Sequence, residues 1–151
     1  MQRSRTSTPD LAPAEIAARL RLSATRLARQ LRQEAGAGLS PTQLSALAVI
    51  ANHGPLTLGA LAEYERVAPP SITKVVAKLE ADGLVDRNID PDDRRCARVA
   101  ISERGAALIA ESRRRKTAWL TARIGELDPE CQRQLAGALD VLDALTSQDP
   151  R

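Results

Sequence analysis

With 151 residues, 43% hydrophobic and 27% charged, the chain has the make-up of one soluble globular domain that needs no metal or disulfide framework. A net charge of +3 is only a weak pointer to a polyanionic partner, and no stretch approaches the ~20 apolar residues of a membrane span. Cys96 and Cys131 lack metal-type spacing, so a reduced, cytoplasmic setting fits both.

One Trp, one Tyr and no Phe leave an aliphatic core of Leu, Val, Ile and Ala, which leans towards helix. Residues 1–12 read as a flexible tail; Arg3 and Arg5 have no apolar run behind them, so no signal peptide is expected. Residues 13–35 read as a long helix with Pro13 in its first turn and Ile16, Leu20, Leu27 and Leu31 near one stripe. Gly36-Ala37-Gly38 ends it. Ser40-Pro41-Thr42-Gln43 is a capping box that starts a second helix, which stops at Gly54-Pro55.

Thr57 can cap a short third helix containing Leu58, Leu61 and Ala62. A fourth helix carries Ile72, Val75, Val76 and Leu79 at i, i+3, i+4 and i+7 and ends at Asp82-Gly83. Ala68 and Pro69 each precede a proline, which sets its expected start at about Pro70. The period then changes. Residues 84–87 and 96–101 read as two strands of a hairpin, joined by the polar segment 88–95. Ser102 caps a long helix running to about Ile124, and Asp128-Pro129 opens a last one with Leu135, Leu139 and Leu142 in a stripe.

The order helix, helix, short helix, helix, hairpin, helix, helix is mostly α with a small β-hairpin, and its middle part is a winged helix-turn-helix. A helix fits the major groove of B-DNA, and a basic hairpin tip can reach the flanking minor groove. Charge is also polarised along the chain. Residues 13–35 carry five Arg against two Glu, residues 103–123 six cations against two Glu, and residues 125–151 six acids against two Arg. The run from Arg113 to Lys116 is scattered around a helix and is expected to face solvent.

Residues 84–105 resemble the wing of the MarR (multiple antibiotic resistance regulator) family. The family's Asp-x-x-Asp-x-Arg wing, a strand and then Ser/Thr-x-x-Gly are met by Asp90, Asp93, Arg95, Ser102 and Gly105. Ser71-Ile72-Thr73-Lys74, Leu79 and Gly83-Leu84-Val85 resemble its recognition helix, and the likeness extends over roughly residues 13–146. The resemblance implies a winged helix-turn-helix DNA-binding lobe over 40–101, flanked by dimerisation helices at 13–35 and 103–146. It also implies a homodimer on a pseudo-palindromic operator in double-stranded DNA, with residues 70–82 in the major groove and the wing, 88–96, in the minor groove.

The residues expected to touch DNA are Ser71, Thr73, Lys74 and Lys78 on the fourth helix and Arg94 and Arg95 in the wing. Lys is a point charge suited to phosphate, whereas Ser71 and Thr73 can touch base edges. Arg95 matches the family's minor-groove arginine and Asp93 the acid that orients the wing. Pro69-Pro70 departs from the family and removes two N–H donors from the helix start, which shifts weight onto side chains.

Asp90, Asp92 and Asp93 do not make a calcium loop, because no Gly follows the acids and no Glu ends the segment; no metal or cofactor is expected. Catalysis is not expected either. His53 is the only histidine, and no nucleophile motif, zinc-ligand spacing or phosphate-cradling glycine loop occurs. Family members often respond to a small aromatic or drug-like effector, and His53 and Tyr64 are the polar aromatic groups expected near such a pocket. Cys96, between Arg95 and Arg98, is open to a redox reading if those cations lower its pKa. Two functions follow: a sequence-specific regulator, a repressor released by a ligand, or a weakly specific nucleoid-type DNA-binding protein without one.

Overall fold

The computed structural model describes residues 11–90, 92, 93 and 95–147. Residues 1–10 of the expected tail, together with Arg94 of the wing, lie outside the described residues. Among these are six helices and one three-stranded antiparallel sheet. In chain order they are α1 (Pro13–Glu34), α2 (Pro41–His53), β1 (Leu56–Thr57), α3 (Leu58–Glu65), α4 (Pro69–Ala81), β2 (Val85–Ile89), β3 (Ala97–Ile101), α5 (Glu103–Gly125) and α6 (Pro129–Ser147). None of the described helices is long and apolar enough to cross a membrane.

Local chemistry sets most of the boundaries. Ser40 and Gln43 exchange side-chain to backbone bonds at 3.2 and 2.9 Å, as a capping box requires. Thr57 accepts the Ala60 N–H at 3.2 Å, Ser102 that of Gly105 at 3.0 Å and Asp128 that of Cys131 at 2.9 Å, each satisfying an otherwise orphaned donor. Recognition-type helix α4 begins at Pro69, one residue before the expected start. Ala68 takes the extended conformation that a following proline demands, and its carbonyl accepts the Ser71 N–H at 2.9 Å to close the first turn. At the other end Gly83 has φ +69°, and the Leu84 N–H returns to the Leu79 carbonyl at 2.9 Å.

The expected hairpin is present, but its first strand runs on to Ile89 and a third strand joins it. β1 pairs with β3 through Leu56–Val99 and Thr57–Arg98, giving the sheet order β1-β3-β2. Two residues between α2 and α3 carry no period-2 pattern, so this pairing depends on tertiary contact rather than on a local signal.

The core lies where α2, α3, α4 and the sheet meet. Leu47, Ile50, Leu61, Ile72, Val76, Leu79 and Val99 have no exposed surface, and Ile109 of α5 closes the cluster. Burial of each such side chain is worth about 1.5–3 kcal/mol, so the stability of the lobe concentrates here. By contrast, α1 and α6 bury no residue at all. Ile16, Leu22, Leu27, Leu135, Leu139, Val141 and Leu145 are exposed on these helices, from 37% for Leu135 to 61% for Val141.

Candidate nucleic-acid interface

The stripe that buries Ile72, Val76 and Leu79 turns the other face of α4 outwards, and Ser71, Thr73, Lys74 and Lys78 are all exposed on it. Their states differ. Thr73 Oγ1 donates to the Pro69 carbonyl at 2.9 Å, which leaves its oxygen as an acceptor and its methyl group as an apolar contact. Lys78 Nζ lies 3.1 Å from the Asp82 carboxylate, one turn on. Lys74 is the cation of this face with no ion pair among the described residues. The start of α4 is poor in donors: Pro69 and Pro70 have no N–H, and that of Ser71 is taken by Ala68.

Beside this face stands the wing. The Asp90 N–H donates to the Cys96 carbonyl, and the Cys96 N–H to the Asp93 carbonyl, both at 2.9 Å. Asp93 Oδ1 accepts the Arg95 N–H at 3.0 Å, so Asp93 holds the backbone next to the exposed Arg95. The buried organiser is Asp90, only 5% exposed. Its carboxylate takes Arg98 Nε at 2.6 Å and the N–H groups of Asp92 and Asp93 at 2.9 and 3.4 Å. The hydrogen bond from Arg98, helped by those backbone donors, holds the Asp90 carboxyl below the usual carboxylate range. Sequence reasoning weighed Asp90 only as part of a motif and as a metal candidate. An Asp two residues ahead of the amide it caps, at the start of a polar loop, is the Asx-turn signal that points to this role.

The condition on which a redox reading of Cys96 depended, a pKa lowered by its flanking arginines, is not met. The thiol donates to Asp93 Oδ2 at 3.5 Å, and this hydrogen bond, with the nearby negative charge, pushes its pKa up. Arg98 works in the opposite sense and is outweighed. His53 and Tyr64 meet, but each other: their rings stack with centroids 4.4 Å apart and planes at 25°. A different concavity separates the lobe from α1 and α5, a cleft of about 470 Å³ lined by Arg32, Pro41, Leu44, Ser45, Ala48 and Lys116.

Other links hold the parts in register. Glu80 of α4 and Arg87 of β2 are 3.4 Å apart, so helix and wing are joined across the surface. Arg66, in the turn before α4, has φ +53° and ψ +43°, a left-handed conformation unusual for a residue with a Cβ. Its side chain is exposed.

Comparison with known proteins agrees with this architecture. The family model described as MarR family matches residues 39–97, the stretch from the start of α2 to the return strand of the wing. An uncharacterized HTH-type transcriptional regulator of Mycobacterium bovis is 43% identical over 138 residues, 91% of this chain and 96% of that protein. The structure of a MarR family protein from Bacillus stearothermophilus superimposes with a TM-score of 0.76 at 25% identity, covering 89% of this chain and 95% of that one. A mutant of MepR from S. aureus bound to an oligodeoxyribonucleotide has the same fold, with a TM-score of 0.68 at 17% identity over 88% and 97% of the two chains. The chain therefore belongs to the MarR family of helix-turn-helix transcriptional regulators, DNA-binding proteins rather than enzymes.

Proposed function

We propose that the protein is a homodimeric, sequence-specific repressor that presents α4 to the major groove and its wing to the adjacent minor groove of a pseudo-palindromic operator. The carrying observation is the exposed polar face of α4, with Ser71, Thr73 and a Lys74 that has no ion pair among the described residues, beside a wing whose tip is tied down by a buried carboxylate. Ser71 and the Thr73 methyl group read base edges, and Lys74 binds phosphate. Lys78 contributes less, because Asp82 already neutralises it. Arg95 enters the minor groove, where the potential is most negative at A·T-rich sequence, and Arg94 takes phosphate. The MepR mutant bound to an oligodeoxyribonucleotide supports use of the same fold on DNA.

A second copy of the chain covers α1 and α6. Neither helix buries a residue within one chain, yet both expose large apolar side chains along their length. Bound across a promoter, such a dimer represses by occlusion. A small effector with an apolar body and an anionic group fits the cleft lined by Arg32 and Lys116, with Pro41, Leu44 and Ala48 as its apolar wall. Binding there, between the lobe and the long helices, favours lobe positions that no longer match the operator. Stacked on each other, His53 and Tyr64 have less to offer such a ligand.

A salt-series titration against duplex from the protein's own upstream region, with scrambled duplex alongside, tests the central claim. The expected result is a preference of ~10³-fold or more for the native duplex. Equal, salt-sensitive binding to both sequences would favour the nucleoid-type alternative, and no binding at low salt would exclude DNA recognition by this surface.

A further inference from the structure

The recognition helix and the long helix α5 meet at one small joint. Gly83 and Leu84 follow α4 directly, and Ser102 and Gly105 belong to the first turn of α5. Ser102 Oγ donates to the Gly83 carbonyl at 2.7 Å and accepts the Gly105 N–H at 3.0 Å. The Ser102 N–H donates to the Leu84 carbonyl at 3.1 Å. That carbonyl is where a Cβ on Gly105 would fall: it would lie 2.0 Å from the Leu84 oxygen, 3.0 Å from its carbon and 2.9 Å from Ile101 Cγ1. Two of these atoms are backbone, so α5 cannot sit this close to Leu84 with any other residue at position 105.

Gly105 is helical, with an ordinary negative φ, so no turn conformation requires glycine there. Glycine inside a helix is less favourable than alanine by roughly 1 kcal/mol. The close crossing is what offsets that cost. Leu84 is 2% exposed, so the joint is also shut off from water on its inner side.

We propose that this joint sets the separation and angle of the two recognition helices, and that Gly105 and Ser102 are positioning residues for operator spacing. The inference rests on the dimeric reading above. α5 has 23 residues, a lever of about 34 Å at 1.5 Å per residue. A tilt of about 10° at its base displaces the recognition helix by about 6 Å over that length, more than the ~3.4 Å rise of one base pair. Two hydrogen bonds cross the joint, from the Ser102 hydroxyl to Gly83 and from the Ser102 N–H to Leu84, and the close backbone crossing at Gly105 has no side chain to give way, so that tilt is suppressed. Ile109 and the 2.6 Å hydrogen bond from Arg113 to Asn52 also seat α5 on the lobe, and the joint adds the direct tie to the end of α4.

The test uses the full-length dimer, with the preferred half-site selected from random duplex and then placed in pairs whose centres differ in spacing by single base pairs. Wild type is expected to show one optimum spacing and to lose about tenfold or more in affinity one step either side. Gly105→Ala is expected to move the optimum or flatten the discrimination below about threefold, while affinity for an isolated half-site stays unchanged. Ser102→Ala should flatten it less, and Ser102→Thr, which keeps the hydroxyl, should restore it. A merely structural role predicts a different outcome: uniform loss at every spacing with the wild-type optimum kept, which would overturn the inference. Should Gly105→Ala fail to fold, Ser102→Ala with an undisturbed spacing profile would overturn it as well. A wild type that binds sequence-specifically but without an optimum would refute the joint alone, whereas one that binds all duplexes equally would refute the operator reading from which it starts.

Discussion

Arg98 Nε lies 2.6 Å from the Asp90 carboxylate, and this ion pair ties the two strands of the wing together just behind its tip. The remaining carboxylate oxygen holds the N–H groups of Asp92 and Asp93. Both partners favour the charged carboxylate, so its folded pKa lies below the unfolded value of about 3.9. A depressed pKa stabilises the fold fully above the unfolded value, and that contribution is lost as pH falls through the lower folded one. Protection of the Asp92 and Asp93 amides from hydrogen exchange should therefore persist across pH 5–7, after correction for intrinsic exchange, and collapse only below about pH 4. Collapse near pH 6 would assign the protection to another group.

Replacing Asp90 by Asn keeps the size of the side chain and removes the charge that Arg98 pairs with. The wing should loosen while the core of α2, α3 and α4 stays intact. Affinity for sites with A·T-rich flanks should fall about tenfold, and affinity for sites with G·C-rich flanks much less. Arg95→Ala should give the same pattern without altering the exchange of the loop amides. Equal losses on both kinds of flank, measured by titration, would remove the wing from the minor groove.

Lys74 and Lys78 sit one turn apart on one helix, and a sequence reading treats them alike. Asp82 separates them. Lys74→Ala should flatten the plot of log affinity against log salt by about one ion per subunit, whereas Lys78→Ala should change that slope by clearly less. Matching slopes for the two variants would show that the Lys78–Asp82 pair opens on DNA.

Much of this architecture is legible in the residues because it is locally encoded. The capping box at Ser40, the N-cap at Ser102, the stripe of Ile72, Val76 and Leu79, and the glycine stop at Gly83 act within one or two turns, and each is found where it was expected. The features that escape are tertiary. Leu56–Thr57 becomes a strand only because β3 passes beside it. Asp90 and Asp93 look equivalent in sequence, and only the return of Arg98 along β3 decides which is buried. The same loop makes Cys96 less acidic, since the nearest charged partner of its thiol is Asp93 rather than either flanking arginine.

That environment makes Cys96 a poor peroxide sensor. Its thiolate is disfavoured by a carboxylate hydrogen bond, and the thiolate is the reactive form. Labelling by a neutral alkylating reagent should be slow at pH 7 and should accelerate only at alkaline pH, beyond the range of an ordinary cysteine. Peroxide should leave the operator affinity of wild type and Cys96→Ser equal. Fast labelling at neutral pH, with an affinity loss confined to wild type, would reinstate the redox reading.

Arg66 offers a test in the opposite direction, a substitution expected to stabilise. Its φ of +53° places it in the left-handed region, where the Cβ of an L-residue costs roughly 1–2 kcal/mol. The conformation is imposed from both sides. The Arg66 N–H caps α3 by donating to the Glu63 carbonyl at 3.1 Å, and the Val67 N–H reaches back to the Ala62 carbonyl at 3.1 Å. The chain must then turn at once into Ala68 and Pro69. Arg66→Gly relieves the Cβ strain, and the greater freedom of glycine in the unfolded chain takes back part of the gain. The net expectation is a stabilisation of about 0.5–1 kcal/mol, a rise of a few degrees in Tm for a chain of this size. Because Arg66 is exposed beside the donor-poor start of α4, DNA affinity measured on the same variant separates two roles. A higher Tm with unchanged affinity would make Arg66 a strained turn and nothing more, whereas a higher Tm with a flatter salt slope would make the strain the cost of a phosphate contact. A lower Tm would mean that the side chain holds the turn through contacts that outweigh its backbone strain.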